Sequence, residues 1–426
     1  MNYIDTLYAR TLQDPTERSP LVAAEQTDVC IVGAGLAGLT AALELVRAGN
    51  SVAVLEAQRV GWGASGRNGG FVGPGYASRG ETIRRMAGAA DAKKLHLLSI
   101  EGVELVRNTI EDLGIASALP KPGITRVVRY EAAAQLQAEA EAALNDFGYP
   151  LEFLDRTAVQ ALLHSDRYYQ GVRDPQAFHF HPLNYLRGIA AEIERLGGLI
   201  YENSAATSVR LNDAIKVVRT DRGSVQAKHV VFATGGYTGR LVPALKRSHL
   251  AISTYVMVSE RAPELIRTAI ETTDAIGDDR KAGDYYRVVD GGQRLLWGGR
   301  ITTRTGEPRD LAAKLQRTMV STYPQLKDLE IDTAWSGLMA YARHQMPQIG
   351  QLQPHVWYCT AFGGHGMNTA TIGGKIIAEA ILGTSDRFRL FQPFGLAWNG
   401  GPAGKIAAQL VYWKLQANDW LRERGA

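Results

Sequence analysis

The sequence has 426 residues, 45% of them hydrophobic and 21% charged, which is typical of a soluble globular protein with two to three domains. Its 47 basic and 43 acidic residues give a net charge of +4, too small an excess to indicate nucleic-acid binding. Residues 1–19 lack the apolar segment of a secretory signal, and no apolar run reaches transmembrane length, so we expect a cytoplasmic protein.

A dinucleotide-binding pattern begins at residue 28. The continuous apolar run Val29–Val32 predicts a parallel strand buried on both faces. Gly33, Gly35 and Gly38 follow with the spacing G-x-G-x-x-G. The first glycine permits a tight turn, the second lets a pyrophosphate approach the backbone, and the third lets helix and strand pack closely.

A helix and an acidic residue complete the pattern. The N-terminus of the helix predicted over residues 36–48 would point its free N–H groups at phosphate. Glu56 ends the next strand, about 20 residues after the second glycine, where a carboxylate accepts hydrogen bonds from ribose hydroxyls. The combination predicts a dinucleotide site but does not say which dinucleotide binds.

Two further glycine-rich loops follow later in the chain. In residues 61–75 the glycines would let backbone approach a flat ligand, while Ser65, Arg67 and Asn68 can donate to phosphate or ring oxygens. A mobile surface loop is the weaker alternative there. The loop Phe362–Thr369 precedes a predicted helix, whose N-terminus can stabilise an anionic ring edge.

Helices and strands alternate through the rest of the chain. Apolar spacing predicts helices over 80–120, 131–146, 157–163, 309–322 and up to 383, strands over 123–130, 199–203, 205–210, 215–220, 228–236, 249–260 and 356–361, and a hairpin over 284–300. Residues 240–335 therefore resemble a sheet-rich domain inserted between two parts of a nucleotide domain. The tail 405–424 is amphipathic; we expect it to pack on the body, with membrane-surface contact as the weaker alternative.

Cysteines and histidines give no metal signal. Cys30 and Cys359 both lie in predicted apolar strands, so we expect buried free thiols. His179 and His181 have no third ligand nearby, which favours a structural or substrate-lining role over a metal site.

The chain resembles the D-amino-acid oxidase-like family of FAD oxidoreductases, which includes glycine oxidase and sarcosine oxidase. The resemblance covers almost the whole chain and rests on motifs in the same order: Val54-Leu-Glu-Ala57, Gly63-Ala-Ser-Gly-Arg-Asn-Gly-Gly70, His181-Pro-Leu-Asn184, Asp284-Tyr-Tyr-Arg287, Arg294-Leu-Leu-Trp-Gly-Gly299, Arg343–Gly350 and Gly364-His-Gly366.

This resemblance implies an α/β (α+β) fold in which a Rossmann-like FAD-binding domain is interleaved with an antiparallel-sheet substrate domain. We expect the former to comprise residues 1–90, 165–240 and 335–426, and the latter 91–164 and 241–334. It also implies FAD contacts at Gly33, Gly35, Leu36, Ala37, Gly38, Glu56, Ala57, Gly63, Ala64, Ser65, Arg67, Asn68, Gly69, Gly70, Thr207, Thr234, Gly235, Gly364, His365, Gly366, Met367 and Asn368. Neither cysteine is placed for flavin attachment, so we expect non-covalent FAD.

The substrate pocket is less well defined. Our candidates for catalytic residues are Tyr255, Tyr286, Arg343, His344 and His365. Met339 stands where glycine oxidase-like members carry the arginine that holds the substrate carboxylate. A small α-amino acid held in that way is therefore disfavoured, unless Arg343 or Arg287 compensates.

The chemistry implied is oxidation of an amine or amino-acid C–N bond to an imine, with hydride transfer to the flavin. The resemblance implies that O2 then reoxidises the flavin and gives hydrogen peroxide, with another electron acceptor as the alternative. The expected small-molecule substrate is a γ-glutamylputrescine-like amine or a secondary or cyclic amino acid such as pipecolate. Two alternatives stay open: a membrane-associated dehydrogenase that reduces a quinone, and a flavin subunit of a multi-subunit amine dehydrogenase. The sequence gives no oligomeric state.

Overall fold

A computed structural model describes residues 2–280 and 283–424. Buried apolar runs form the first of two sheets, whose strands are β1 (Ala24–Val32), β2 (Val52–Leu55), β7 (Leu199–Tyr201), β8 (Ser208–Arg210), β9 (Lys216–Arg219), β10 (Ser224–Phe232), β16 (Gln348–Gln353) and β17 (Val356–Thr360). Their order is β16-β17-β10-β1-β2-β7, with β9 also on β10 and β8 on β9. The five strands from β17 to β7 run parallel, so their carboxyl ends meet at one edge.

The second sheet is assembled from strands that lie in several separate stretches of the chain. Its strands are β3 (Phe71–Val72), β4 (Lys121–Val127), β5 (Glu152–Leu154), β6 (Gly171–His179), β11 (His249–Ser259), β12 (Ala275–Asp278), β13 (Tyr285–Val289), β14 (Arg294–Thr302) and β15 (Ile331–Ala342). Their order is β15-β11-β14-β13-β12-β4-β6-β3, with β5 on β6. The pairing is antiparallel except between β12 and β4.

Helices cover the outside of both sheets. They are α1 (Leu7–Arg10), α2 (Leu36–Arg47), α3 (Gly80–Ala87), α4 (Ala89–Asp112), α5 (Ala133–Phe147), α6 (Arg156–Leu162), α7 (Pro182–Arg195), α8 (Pro243–Lys246), α9 (Pro263–Arg267), α10 (Leu311–Thr322), α11 (Gly366–Leu382) and α12 (Gly401–Arg424). The largest core packs α2, α4, α7 and α11 on the parallel sheet. A second core lies under the other sheet, between its strands and α10.

The mixed α/β fold confirms the predicted fold class. The observed packing differs from the predicted domain boundaries in four places. β3, β6 and the end of β15 belong to the second sheet, and α4 packs on the nucleotide-binding side. The boundaries themselves stay a prediction.

The C-terminal helix α12 faces the protein with polar side chains. The Ile301 N–H donates to the Tyr412 hydroxyl at 3.0 Å, and Gln409 Oε1 accepts from the Thr302 hydroxyl at 3.1 Å. The apolar side chains of this amphipathic helix, Ile406 and Trp413 among them, are more than half exposed. Of the helices described, none is sufficiently long and apolar to span a bilayer.

Candidate active site

A cavity of about 1210 Å³ lies between the carboxyl ends of the parallel strands and one face of the second sheet. All three glycine-rich loops reach it. The predicted FAD contacts that line it are Gly33, Gly35, Leu36, Ala37, Glu56, Ala57, Gly63, Ala64, Ser65, Arg67, Asn68, Gly69, Thr234, Gly235, Gly364, His365, Gly366, Met367 and Asn368. Residues far apart in sequence therefore form one elongated site.

Three predicted contacts lie outside the lining. A side chain at Gly38 would collide with the Gly33 carbonyl, and one at Gly70 would collide with the Phe180 carbonyl, so both glycines permit close packing behind the cavity wall. Thr207 is exposed, and its N–H donates to the Arg219 carbonyl at 2.8 Å.

The first glycine turn is built for close approach to a ligand. Gly33 has φ +110°, a conformation that favours glycine, and its N–H donates to the Leu55 carbonyl at 2.8 Å. A Cβ on Gly35 would lie 2.8 Å from Ser65 Oγ, which accepts from the Leu36 N–H at 3.1 Å. The α2 N-terminus and the Ser65 hydroxyl thus face the same part of the cavity, as a pyrophosphate site requires.

Glu56 is held with its carboxylate at the cavity wall. One oxygen accepts from the Ala34 N–H and the other from the Gln58 N–H, both at 2.9 Å. Burial raises the pKa of this carboxyl above its ordinary value, while the two backbone donors lower it. Each oxygen retains capacity to accept a further hydrogen bond from a ribose hydroxyl.

Arg67 is a buried cation beside the cavity. Its guanidinium lies 4.2 Å from the Trp62 ring centroid, and Nη1 donates to the Ser336 carbonyl at 3.2 Å. Its Nη2 is buried and has no hydrogen-bond partner among the described residues. A buried donor without a partner is costly, so an oxygen of a bound ligand would stabilise this site.

The loop that carries Arg67 is fixed from behind. Arg287 is buried and donates to the Gly69 carbonyl at 2.8 Å and to the Phe180 carbonyl at 2.8 Å. Asn68 donates to the Ser65 carbonyl at 2.8 Å and accepts from the Gly70 N–H at 2.7 Å. Asn68 and Arg287 therefore set the loop's shape.

The third loop meets β15 at the other end of the cavity. Gly364 has φ +89°, and a Cβ there would lie 2.8 Å from the Tyr341 hydroxyl and 3.4 Å from Met339 Sδ. His365 lies deep in the protein yet is exposed to the cavity, and burial lowers the pKa of its imidazole. The α11 N-terminus follows directly, so this end presents a neutral imidazole and helix N–H groups.

Adjacent residues on β11 and β13 divide between two environments. Tyr285 and Thr254 line the cavity. Tyr286 and Tyr255 lie in the core on the opposite face, where Tyr286 stacks on Trp297 with centroids 4.3 Å apart. The predicted catalytic candidates Tyr255 and Tyr286 are thus one residue away from side chains that face the cavity.

Two other candidates lie outside the cavity lining as well. Arg343 is exposed just after β15. His344 Nδ1 accepts from the Met346 N–H at 3.1 Å, and its Nε2 lies 3.3 Å from the Gly395 carbonyl oxygen. Of the five candidates, His365 is the one that the structure brings to the cavity among the described residues. Tyr341, Tyr285 and Thr254 also line the cavity, and the sequence did not predict them as site residues.

The two histidines considered as metal ligands, His179 and His181, and the two cysteines have structural surroundings. His179 Nδ1 accepts from Arg287 at 3.0 Å, and His181 Nδ1 accepts from the Asn184 N–H at 3.1 Å. Within residues 2–280 and 283–424 no group of three potential ligands could hold a metal ion. Cys30 and Cys359 are buried free thiols in β1 and β17.

These features fit FAD. Two helix N-termini face one elongated cavity, and Glu56 can accept hydrogen bonds from the ribose. The buried Arg67 Nη2 can donate a hydrogen bond to an oxygen of the cofactor. The glycines at 33, 35 and 364 provide room where a side chain would intrude.

Comparisons with known proteins agree with this site. Residues 28–380 match the DAO family, described as FAD dependent oxidoreductase. The chain is 35% identical over 366 residues to gamma-glutamylputrescine oxidoreductase of Escherichia coli (strain K12), with 85% of each chain covered. Among solved structures, it is similar to glycine oxidase from Geobacillus kaustophilus, with a TM-score of 0.73 at 19% identity, covering 88% of this chain and 99% of that one.

A second structural relative is L-proline dehydrogenase from P. horikoshii, with a TM-score of 0.70 at 19% identity, covering 88% of this chain and 100% of the other. At these identities the structures show a shared fold. The family match spans most of the chain and includes all three glycine-rich loops. The chain therefore belongs to the DAO family of FAD-dependent oxidoreductases.

Proposed function

We propose that this protein oxidises the C–N bond of a γ-glutamylputrescine-like amine to an imine, using non-covalently bound FAD. The observation that carries the proposal is the apolar and aromatic character of the pocket beside the third loop, together with the 35% identical E. coli relative. Tyr341, Tyr285 and Met339 form walls suited to the methylene chain of an alkyl amine. A secondary or cyclic amino acid such as pipecolate is the other substrate class that this pocket admits.

Met339 gives a reason to prefer an alkyl amine. It faces the cavity beside Gly364 and supplies a thioether rather than a cation. An α-carboxylate next to the reacting carbon would be left without a charged partner at this position, whereas a methylene group would be accommodated.

We propose that His365 accepts the proton that the substrate amine loses. An amine must lose its proton before it can release hydride, and a lowered pKa keeps the imidazole neutral and able to accept that proton. Bound FAD would accept the hydride from the carbon next to nitrogen. The substrate is thereby oxidised by two electrons to an imine, which water hydrolyses to an aldehyde and ammonia.

Non-covalent attachment is supported by the positions of the two thiols, which are buried in strands. The electron acceptor is O2 or another oxidant, and the screen described next distinguishes the two by comparing peroxide formation with reduction of an added dye. We propose a small-molecule reaction that needs no nucleic acid.

The test is a screen of the purified, flavin-loaded chain. Acid precipitation should leave yellow flavin in the supernatant; a yellow pellet would contradict non-covalent binding. The chain should then oxidise γ-glutamylputrescine faster than pipecolate, glycine or sarcosine, whether peroxide formation or reduction of an added dye is measured. Peroxide formed in step with imine identifies O2 as the acceptor, whereas turnover only with dye indicates a dehydrogenase. Turnover of pipecolate alone would contradict the substrate assignment.

A further inference from the structure

A row of paired residues crosses the second sheet from the pocket to the far end of the cavity. Tyr285 on β13 pairs with Gly277 on β12, which pairs with Arg126 on β4. Residues directly opposite each other in neighbouring strands share a face of the sheet. All three line the cavity, so their row forms part of its floor.

The middle of this row is open. Apart from its two chain neighbours, no described residue has an atom within 4 Å of a Cβ built on Gly277. The Tyr285 ring lies over Gly298 on β14, on the side away from Gly277, because a Cβ on Gly298 would collide with that ring. The floor above Gly277 is therefore a passage between Tyr285 and Arg126.

The far end of the passage carries charges of both signs. Arg126 forms an ion pair with Glu139 on α5, and both side chains are about two-fifths exposed. Asp174 on β6 also lines this end, where its carboxylate accepts from the Tyr149 hydroxyl at 2.9 Å. Apolar side chains such as Ile124 complete the walls.

We propose that this far end, formed by Arg126 and Glu139, binds the charged amino-acid head of a linear amine whose other end is oxidised. Arg126 receives the carboxylate of the head and Glu139 its ammonium group. The methylene chain lies over Gly277. This inference rests on the proposed function and extends it by assigning the residues that select the substrate.

Length supports the assignment. Two strand spacings separate Tyr285 from Arg126, or about 10 Å. In γ-glutamylputrescine eight bonds separate the reacting carbon from the carbon that bears the amino and carboxylate groups, which is roughly 10 Å when extended. A substrate whose reacting carbon lies beside Tyr285 can therefore place its charged head at Arg126.

The helix that carries Glu139 buries few of its side chains against the rest of the protein. Leu136 is the buried residue of α5 within the described chain, and Phe147 contacts His96 with ring centroids 4.0 Å apart. Because the Arg126–Glu139 pair is open to solvent, exchanging it for contacts with a substrate zwitterion costs little desolvation. In the complex, the ligand carboxylate replaces Glu139 as the partner of Arg126, and the ligand ammonium group replaces Arg126 as the partner of Glu139.

The experiment compares γ-glutamylputrescine with N-acetylputrescine, which retains the amine and amide but lacks the charged head. Wild type should show a kcat/KM at least about tenfold higher for γ-glutamylputrescine, the effect of losing charge-assisted hydrogen bonds. Arg126→Met should raise KM for γ-glutamylputrescine about 10- to 100-fold with little change in kcat, and should remove the preference. Lys121→Met, an exposed cation on the same strand, is the matched control and should retain it.

A second variant tests the passage itself. Gly277→Val places a strand-favouring side chain in open space, so flavin content should not change, while KM for γ-glutamylputrescine should rise. Equal use of both amines by wild type, or a preference retained in Arg126→Met, would overturn the assignment of the head-group site. Failure of wild type to oxidise either amine, or any other in the screen, refutes the proposed function and this inference with it.

Discussion

The ribose contact assigned to Glu56 gives the most quantitative prediction. Its two oxygens each accept one backbone N–H at 2.9 Å and can each accept one ribose hydroxyl in addition. Hydrogen bonds to a charged group contribute about 1.5–3 kcal/mol each. Glu56→Ala should therefore weaken FAD binding by about 3–6 kcal/mol, or roughly 10²- to 10⁴-fold in Kd.

The assay is reconstitution of stripped apoprotein with FAD, followed by the change in flavin fluorescence. It should be run at mildly alkaline pH, because burial raises the pKa of Glu56 and the ionised carboxylate is the form that accepts hydrogen bonds at both oxygens. Glu44→Ala is the matched control, since it removes a carboxylate from α2 that pairs with Arg47 outside the cavity. A Kd for Glu56→Ala within about threefold of the control would refute the ribose role.

Three further predictions concern the fold around the site. Glu202 is fully buried, and its carboxylate oxygens lie 3.2 Å from the guanidinium nitrogens of both Arg59 and Arg187. Glu202→Gln should therefore lower the free energy of unfolding, measured by urea denaturation, by about 3 kcal/mol or more. A loss below about 1 kcal/mol would contradict this prediction. His179 and His181 have pKa values lowered by burial to about 4 and about 3, below the unfolded value near 6.5. The unfolded chain then binds more protons, so stability should fall as pH drops below about 6.5, by about 2 kcal/mol for each histidine at about pH 5. His181 is the N-cap of α7, and His181→Asn, which keeps a capping side chain, should reduce this loss. An unchanged pH profile in that variant would contradict the prediction. Gly364→Ala forces φ +89° on alanine and places Cβ 2.8 Å from the Tyr341 hydroxyl, so flavin occupancy and kcat should both fall, whereas Gly239→Ala, in open space, should change neither.

Local patterns made the nucleotide end predictable from sequence. The strand, turn and helix around Gly33 and Gly35 depend on residues close in the chain, so spacing alone predicts both the backbone and the ligand class. The loop at residues 61–75 and the α11 N-terminus were recognisable for the same reason, and the family match confirms an FAD oxidoreductase.

The substrate end depends on packing that the sequence does not show. Tyr285 and Tyr286 alternate between a cavity and an aromatic core, and both environments favour tyrosine, so periodicity cannot assign the faces. Arg126 and Glu139 meet because a helix lies over a sheet. The apolar side chains of α12 face outward because Gln409 and Tyr412 make its contacts with β14.

The most direct test of the proposed amine oxidation is anaerobic titration of the flavin-loaded protein with γ-glutamylputrescine. The visible flavin absorbance should bleach with about one equivalent of substrate, and the product should be the aldehyde formed from the oxidised primary amine. An oxidised spectrum that persists with excess substrate, while dithionite bleaches the same sample, would contradict the claim that this protein oxidises such amines.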